Sequence, residues 1–75
     1  MSKRPSISFR DFIARMKDLG FIPVRQKGSH IRFEHEDGRK TTVPDHGSKD
    51  VPVGLMNKII RHDLEMDIAD FLEEK

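Results

Sequence analysis

Lys27-Gly28-Ser29-His30 sets an imidazole directly after a glycine-containing turn and among cations. The residues that follow, Ile31-Arg32-Phe33-Glu34, alternate apolar and polar. In a strand, successive side chains point to opposite faces. Ile31 and Phe33 are therefore expected to face a core, while His30, Arg32 and Glu34 face away from it. Imidazole changes charge near physiological pH. Held among cations on an open sheet face, it suggests chemistry on a phosphodiester. Arg25, Lys27 and Arg32 would hold a phosphate and stabilise the charge that builds on it. Gly28 lets backbone approach backbone or substrate closely. Ser29 could donate a hydrogen bond, but its ordinary role is that of a turn residue. Position alone does not make His30 catalytic, because exposed polar residues beside cations are commonplace.

Periodicity supplies the elements that would position these groups. Ser8 reads as an N-cap, followed by an apolar stripe of Phe9, Phe12, Ile13, Met16 and Leu19, with Gly20 closing the helix. Ile22 to Gln26 reads as a first strand, at a sheet edge because of Pro23. Gly28-Ser29 is a two-residue hairpin turn of the type that starts with glycine. His30 to His35 is the second strand, Asp37-Gly38 the next turn and Lys40 to Val43 the third strand. With that first turn, Lys27 opposes His30, Gln26 opposes Ile31, Arg25 opposes Arg32 and Val24 opposes Phe33. Ile22, Val24, Ile31 and Phe33 would then share a face buried beneath Phe12, Met16 and Ile59. Arg25, Lys27, His30 and Arg32 would share the open one.

Register follows the buried set. A three-residue loop through Arg39, with Gly38 left-handed, would bring Val43 inward opposite Phe33. Val43-Pro44 ends the sheet. Beyond the connection of residues 45–51, a second helix is expected from near Pro52 to about His62, with Leu55, Met56, Ile59 and Ile60 inward. Asp67 would cap a short last helix through Ile68, Phe71 and Leu72. The expected fold class is α+β, in the order α-β-β-β-α, with helices on one face of a three-stranded antiparallel sheet and the other face bare. Residues 1–75 are read as one small domain whose residues 1–7 form a frayed, basic lead-in.

Composition narrows the function classes. The net charge of +1 conceals an asymmetry. Residues 1–44 hold ten Lys/Arg against five Asp/Glu, a net of +5; residues 45–75 hold four against eight, a net of −4. A basic half suits a polyanion, although small charged proteins often carry such surfaces without a partner. With no cysteine, neither a disulfide nor a thiolate zinc site is available. No apolar run reaches the length of a membrane span or a signal-peptide core, so no membrane association and a cytoplasmic location are expected.

The remaining histidines are weaker candidates. His46, in the loop after the sheet, is a secondary one, since nothing in the spacing fixes its distance to His30. His35 shares the side of Phe33 by parity and reads as structural. His62 complements a helix dipole. No metal site or cofactor is expected: Glu34 and His30 supply two ligands on one strand, short of the three or four that zinc needs.

The motifs together resemble the HicA toxin family, also called YcfA-like. Those that carry the likeness are Gly20-Phe21, Arg25, Lys27-Gly28-Ser29-His30 and Phe33, then Asp37-Gly38, Thr42-Val43-Pro44-Asp45-His46 and Pro52-Val53-Gly54-Leu55. The likeness spans roughly residues 8 to 72. It implies a double-stranded-RNA-binding-domain-like fold, messenger-RNA cleavage with His30 as the catalytic residue, and a HicB-type antitoxin that joins it in a hetero-oligomer. Arg25, Lys27, Gly28, Ser29 and Arg32 would bind the RNA. Asp45 departs from the basic residue that many relatives carry before the second histidine. Two other classes stay open on the residues themselves: a non-catalytic RNA-binding module using the same basic face, and a protein-interaction domain. Replacing His30 separates enzyme from binder. Sensitivity to salt separates both from the third.

Overall fold

Ser8 opens the first helix by accepting a hydrogen bond from the Asp11 amide at 3.1 Å, the contact expected of a serine cap. The computed structural model describes residues 6–72. Helix α1 spans Phe9–Asp18 and buries Phe9, Phe12, Ile13 and Met16. It ends in a Schellman motif: the Gly20 amide donates to the Lys17 carbonyl and the Phe21 amide to the Met16 carbonyl, both at 3.0 Å. Gly20 has φ +98, where a side chain would be strained.

Strands β1 (Ile22–Lys27), β2 (His30–Glu34) and β3 (Lys40–Pro44) form an antiparallel sheet in the order β1-β2-β3. Helix α2 (Val53–Asn57) runs on as a wider π-wound segment, Lys58–Asp63, and α3 is Ile68–Leu72. The helices pack on one face of the sheet around a core that includes Phe12, Met16, Phe33, Val43, Ile59, Ile60, Leu64 and Phe71. This is the expected α+β arrangement.

Four details depart from the expected pairing. A bulge between Pro23 and Arg25 gives Pro23, rather than Val24, the place opposite Phe33, and puts Ile22 opposite Glu34. Ile22 and Val24 are exposed instead of buried: the bulge turns Ile22 to the side of Glu34, and every residue of this edge strand is exposed. In the second hairpin, Val43 is inward as expected but lies opposite Ile31, and Thr41 opposes Phe33. The three-residue loop is Glu36-Asp37-Gly38, one position earlier than expected, closed by the His35 amide donating to the Arg39 carbonyl at 2.8 Å. This register buries Thr41, whose hydroxyl donates to Asp63 at 2.7 Å.

The third departure is the change of winding at the end of α2, where the Leu64 amide donates to the Ile59 carbonyl at 2.8 Å. A five-residue step places Leu64 inward with Ile59 and Ile60 while leaving Asp63 directed at Thr41. The segment thus ends one residue beyond His62. The fourth concerns the lead-in. Residues 1–5 lie outside the described ones, but Ile7 packs against the core and its carbonyl accepts from the Val51 amide at 2.9 Å. Its backbone is anchored.

Candidate functional site

Cross-strand partners share a face of an antiparallel sheet, so the register fixes what the helix-free side displays. β1 contributes Ile22, Arg25 and Lys27, and β2 contributes His30, Arg32 and Glu34. β3 adds Lys40, Thr42 and Pro44. Arg25 lies directly opposite Arg32, and Lys27 directly opposite His30. The like charges of Arg25 and Arg32 in such a position repel and weaken the pairing, and an anion placed between them would relieve that repulsion. The sole ion pair formed on it among the described residues is Arg32 with Glu34 at 4.0 Å, between side chains that are both about half exposed; such a pair contributes little.

The turn that presents His30 is Gly28-Ser29, with Gly28 at φ +60 and Lys27 paired to His30. This is the glycine-first hairpin expected. Gln26 Nε2 donates to the Gly28 carbonyl at 3.0 Å and braces the turn from behind. His30 itself is exposed, and its ring makes no hydrogen bond or ion pair with another described residue. A bare imidazole next to three cations is free to give or take a proton.

His46 proves to be part of the same end of the molecule. The Asp45 amide donates to the Ser29 carbonyl at 2.7 Å, extending the β2–β3 ladder by one rung past Pro44. Asp45 Oδ1 then accepts from the Gly47 amide at 3.0 Å. Gly47 and Lys49 in turn offer their carbonyls to the Arg10 and Phe9 amides at 2.9 and 2.8 Å, and Ser8 bridges to Asp50. Three first-turn amides of α1 that would otherwise lack partners are thereby satisfied: Phe9 and Arg10 by the loop, Asp11 by Ser8. The loop holds His46 with its ring edge-on to Phe9, centroids 5.0 Å apart, while the side chain remains exposed. Sequence spacing could not reveal this clasp. Asp45, which looked like a mere departure from the family pattern, turns out to organise the loop.

His35 and His62 are committed elsewhere. His35 lies against Phe21 and Leu19, and His62 Nδ1 sits 2.8 Å from Asp63. Burial works against the charge of the Asp63 carboxylate, but hydrogen bonds from His62, Thr41 and Lys58 outweigh it and hold its pKa below the ordinary 3.8. At the same end of the sheet, Asp37 is held below 3.8 mainly by the Arg39 amide. An open cleft of about 450 Å³ lies there, lined by Asp37, Arg39, Lys40, His62, Asp63 and Glu65. Its charges are mixed and largely paired with one another, so the cleft and the free His30 sit at opposite ends of β2. Among the described residues, no three His, Asp or Glu side chains converge as a metal-holding group. No helix among them is long and apolar enough to cross a membrane.

These features define a small α+β protein with an anion-receptive open sheet face and a free histidine on it. Residues 9–63 match the family model described as the HicA toxin of bacterial toxin-antitoxin, and the chain belongs to that family. It is accordingly a toxin of a toxin–antitoxin pair, with an antitoxin as its partner. A search of curated proteins found no match.

Proposed function

We propose that this toxin is an endoribonuclease that cleaves messenger RNA without a metal ion and is silenced by a HicB-type antitoxin. The observation that carries the reading is His30: exposed, unpaired, one residue past a tight turn, and facing the same way as Arg25, Lys27 and Arg32. In the reaction, the ribose 2′-oxygen attacks the adjacent phosphorus and the bond from phosphorus to the 5′-oxygen breaks. The products are a 2′,3′-cyclic phosphate and a 5′-hydroxyl. One proton leaves the 2′-hydroxyl and one joins the departing 5′-oxygen, so no water is consumed. His30 serves one of these transfers. Arg25, Lys27 and Arg32 hold the phosphate and offset the charge that accumulates on its oxygens. Ser29 and Gly28 supply turn backbone close to the strand, and His46 stands as the secondary candidate for the other proton.

The test is a single gel series: single-stranded RNA incubated with wild type and His30→Ala, each with and without EDTA. Cleavage by the wild type in EDTA, absent from a variant that still binds RNA, is the expected result. Strict dependence on added magnesium or manganese would overturn the mechanism and redirect attention to Glu34, Asp45 and His46. RNA binding with no cleavage by either protein would make the chain a binding module.

A further inference from the structure

Among the described residues two large hydrophobic side chains stand out in solvent, Ile22 at 61% and Val24 at 52% exposure. They lie on an edge strand whose residues are all exposed, at a β-bulge that sets Pro23, rather than Val24, opposite Phe33. Bulges are retained features that re-aim side chains, rather than defects, and aliphatic surface left in water forgoes about 25 cal/mol for each Å² that burial would have removed. The same strand continues into Arg25 and Lys27, both exposed. The exposed aliphatics and the cations therefore form one continuous edge.

The shape of this edge limits what can use it. Pro23 has no amide hydrogen to offer and the bulge twists the strand, two devices that discourage addition of a further strand. Contact must be made through side chains. Phosphodiesters have no use for aliphatic groups. A protein does, because interfaces are anchored by apolar side chains in desolvated pockets surrounded by a polar rim. Arg25 and Lys27 beside the anchor specify an acidic rim.

We propose that the bulged edge of β1, with Ile22 and Val24 flanked by Arg25 and Lys27, is the anchor by which the antitoxin docks, through an apolar pocket bordered by Asp or Glu side chains. The proposal rests on the toxin–antitoxin assignment and not on the ribonuclease reading. It separates two properties of the toxin. Grip on the partner comes from aliphatics at the edge, and grip on RNA from cations on the face. A partner seated on this edge also engages two of those cations, so tight binding and competition with RNA arise together.

The experiment is calorimetric titration of the Ile22→Thr/Val24→Thr double variant with the purified cognate antitoxin. Threonine keeps the β-branch that suits a strand, and thermal unfolding reports whether the fold persists. Fluorescence anisotropy with a single-stranded RNA oligonucleotide gives a parallel affinity. The expected outcome is antitoxin binding at least tenfold weaker, with the unfolding midpoint and the RNA affinity unchanged. The proposal is overturned if antitoxin affinity stays within threefold of wild type, or if RNA affinity falls as far as antitoxin affinity, which would assign the edge to nucleobases. Because the main readout is partner binding, an inactive ribonuclease leaves the test intact. Failure of the docking site likewise leaves the ribonuclease reading standing.

Discussion

β2 starts and ends at a hairpin turn, and each turn pairs a positive-φ glycine with a neighbouring histidine. At the start, His30 is free. At the end, His35 has both ring nitrogens occupied: Nε2 lies 3.2 Å from the Leu19 carbonyl, and Nδ1 lies 3.1 Å from the Asp37 amide. Nδ1 lies equally close, at 3.1 Å, to Asp37 Oδ1, so the turn grips the ring through both the amide and the carboxylate of Asp37. The Phe21 ring packs against it at 4.9 Å. Around the same turn, Arg39 donates to Asp37 at 2.8 Å and to the Leu64 carbonyl at 2.6 Å while lying over Phe21. The far end of the sheet is thus fastened by side chains to both α1 and the π-wound segment. The near end is held through backbone, which leaves its imidazole and cations available. One strand therefore opens with a free histidine and is followed by a structural one, distinguished by their partners and not by their type.

The largest effect that could break this division is kinetic. His30→Ala should reduce RNA cleavage by about 10²- to 10⁴-fold, the usual share of general acid–base catalysis, with an unchanged urea unfolding midpoint. His35→Ala should do the reverse, costing about 1–3 kcal/mol as two backbone groups lose their partner, with the folded protein still cleaving. Loss of cleavage in fully folded His35→Ala would end the distinction.

Next in size is Gly20→Ala. An added Cβ would lie 2.9 Å from His35 Nε2, on a backbone at φ +98. We expect a loss of about 2 kcal/mol in chemical denaturation, part from left-handed strain and part from the clash. In a His35→Ala background the clash disappears, so the two substitutions should cost less together than the sum of each alone. Strict additivity would show that His35 is not held where the contacts place it.

The smallest effect concerns Asp63. Its folded pKa is depressed, so folding is favoured by its ionised form. That contribution is fully present above the ordinary value of 3.8 and disappears as pH falls through the lowered folded value. Asp63→Asn should remove up to about 1 kcal/mol at neutral pH and flatten the acid limb of the stability curve, read from unfolding midpoints between pH 2 and 6 (about the carboxylate range). An unchanged acid limb would show that the far end is not tied through this carboxylate.

Local signals foretold the parts governed by local physics. Ser8, the stripe from Phe9 to Leu19 and Gly20 describe α1 and its closure almost residue by residue, and parity alone put His30 and Arg32 outside and Ile31 and Phe33 inside. β1 could not be read that way, because a bulge depends on how the whole strand meets its neighbour and Ile22-Pro23-Val24 looks regular in isolation. The second loop lies one position earlier, in a register that brings together Thr41 and Asp63, which stand far apart in sequence. The π-wound segment left no such signal, since Ile60 and Leu64 stand four residues apart as in a regular α-helix. For His46 no local pattern could have shown that its loop docks on Ser29 and on the start of α1.

That docking also dictates the order in which the molecule can be assembled. Both hairpins join neighbouring segments and can close as soon as Pro44 is available, but the first amides of α1 must wait for Gly47 and Lys49. Long closures are slower than short ones, and on the ribosome the late segment emerges last. In refolding from denaturant, pulsed hydrogen exchange should therefore find protection in the two hairpins before it appears at Phe9 and Arg10, whose amides are covered only when the two ends of this long closure meet.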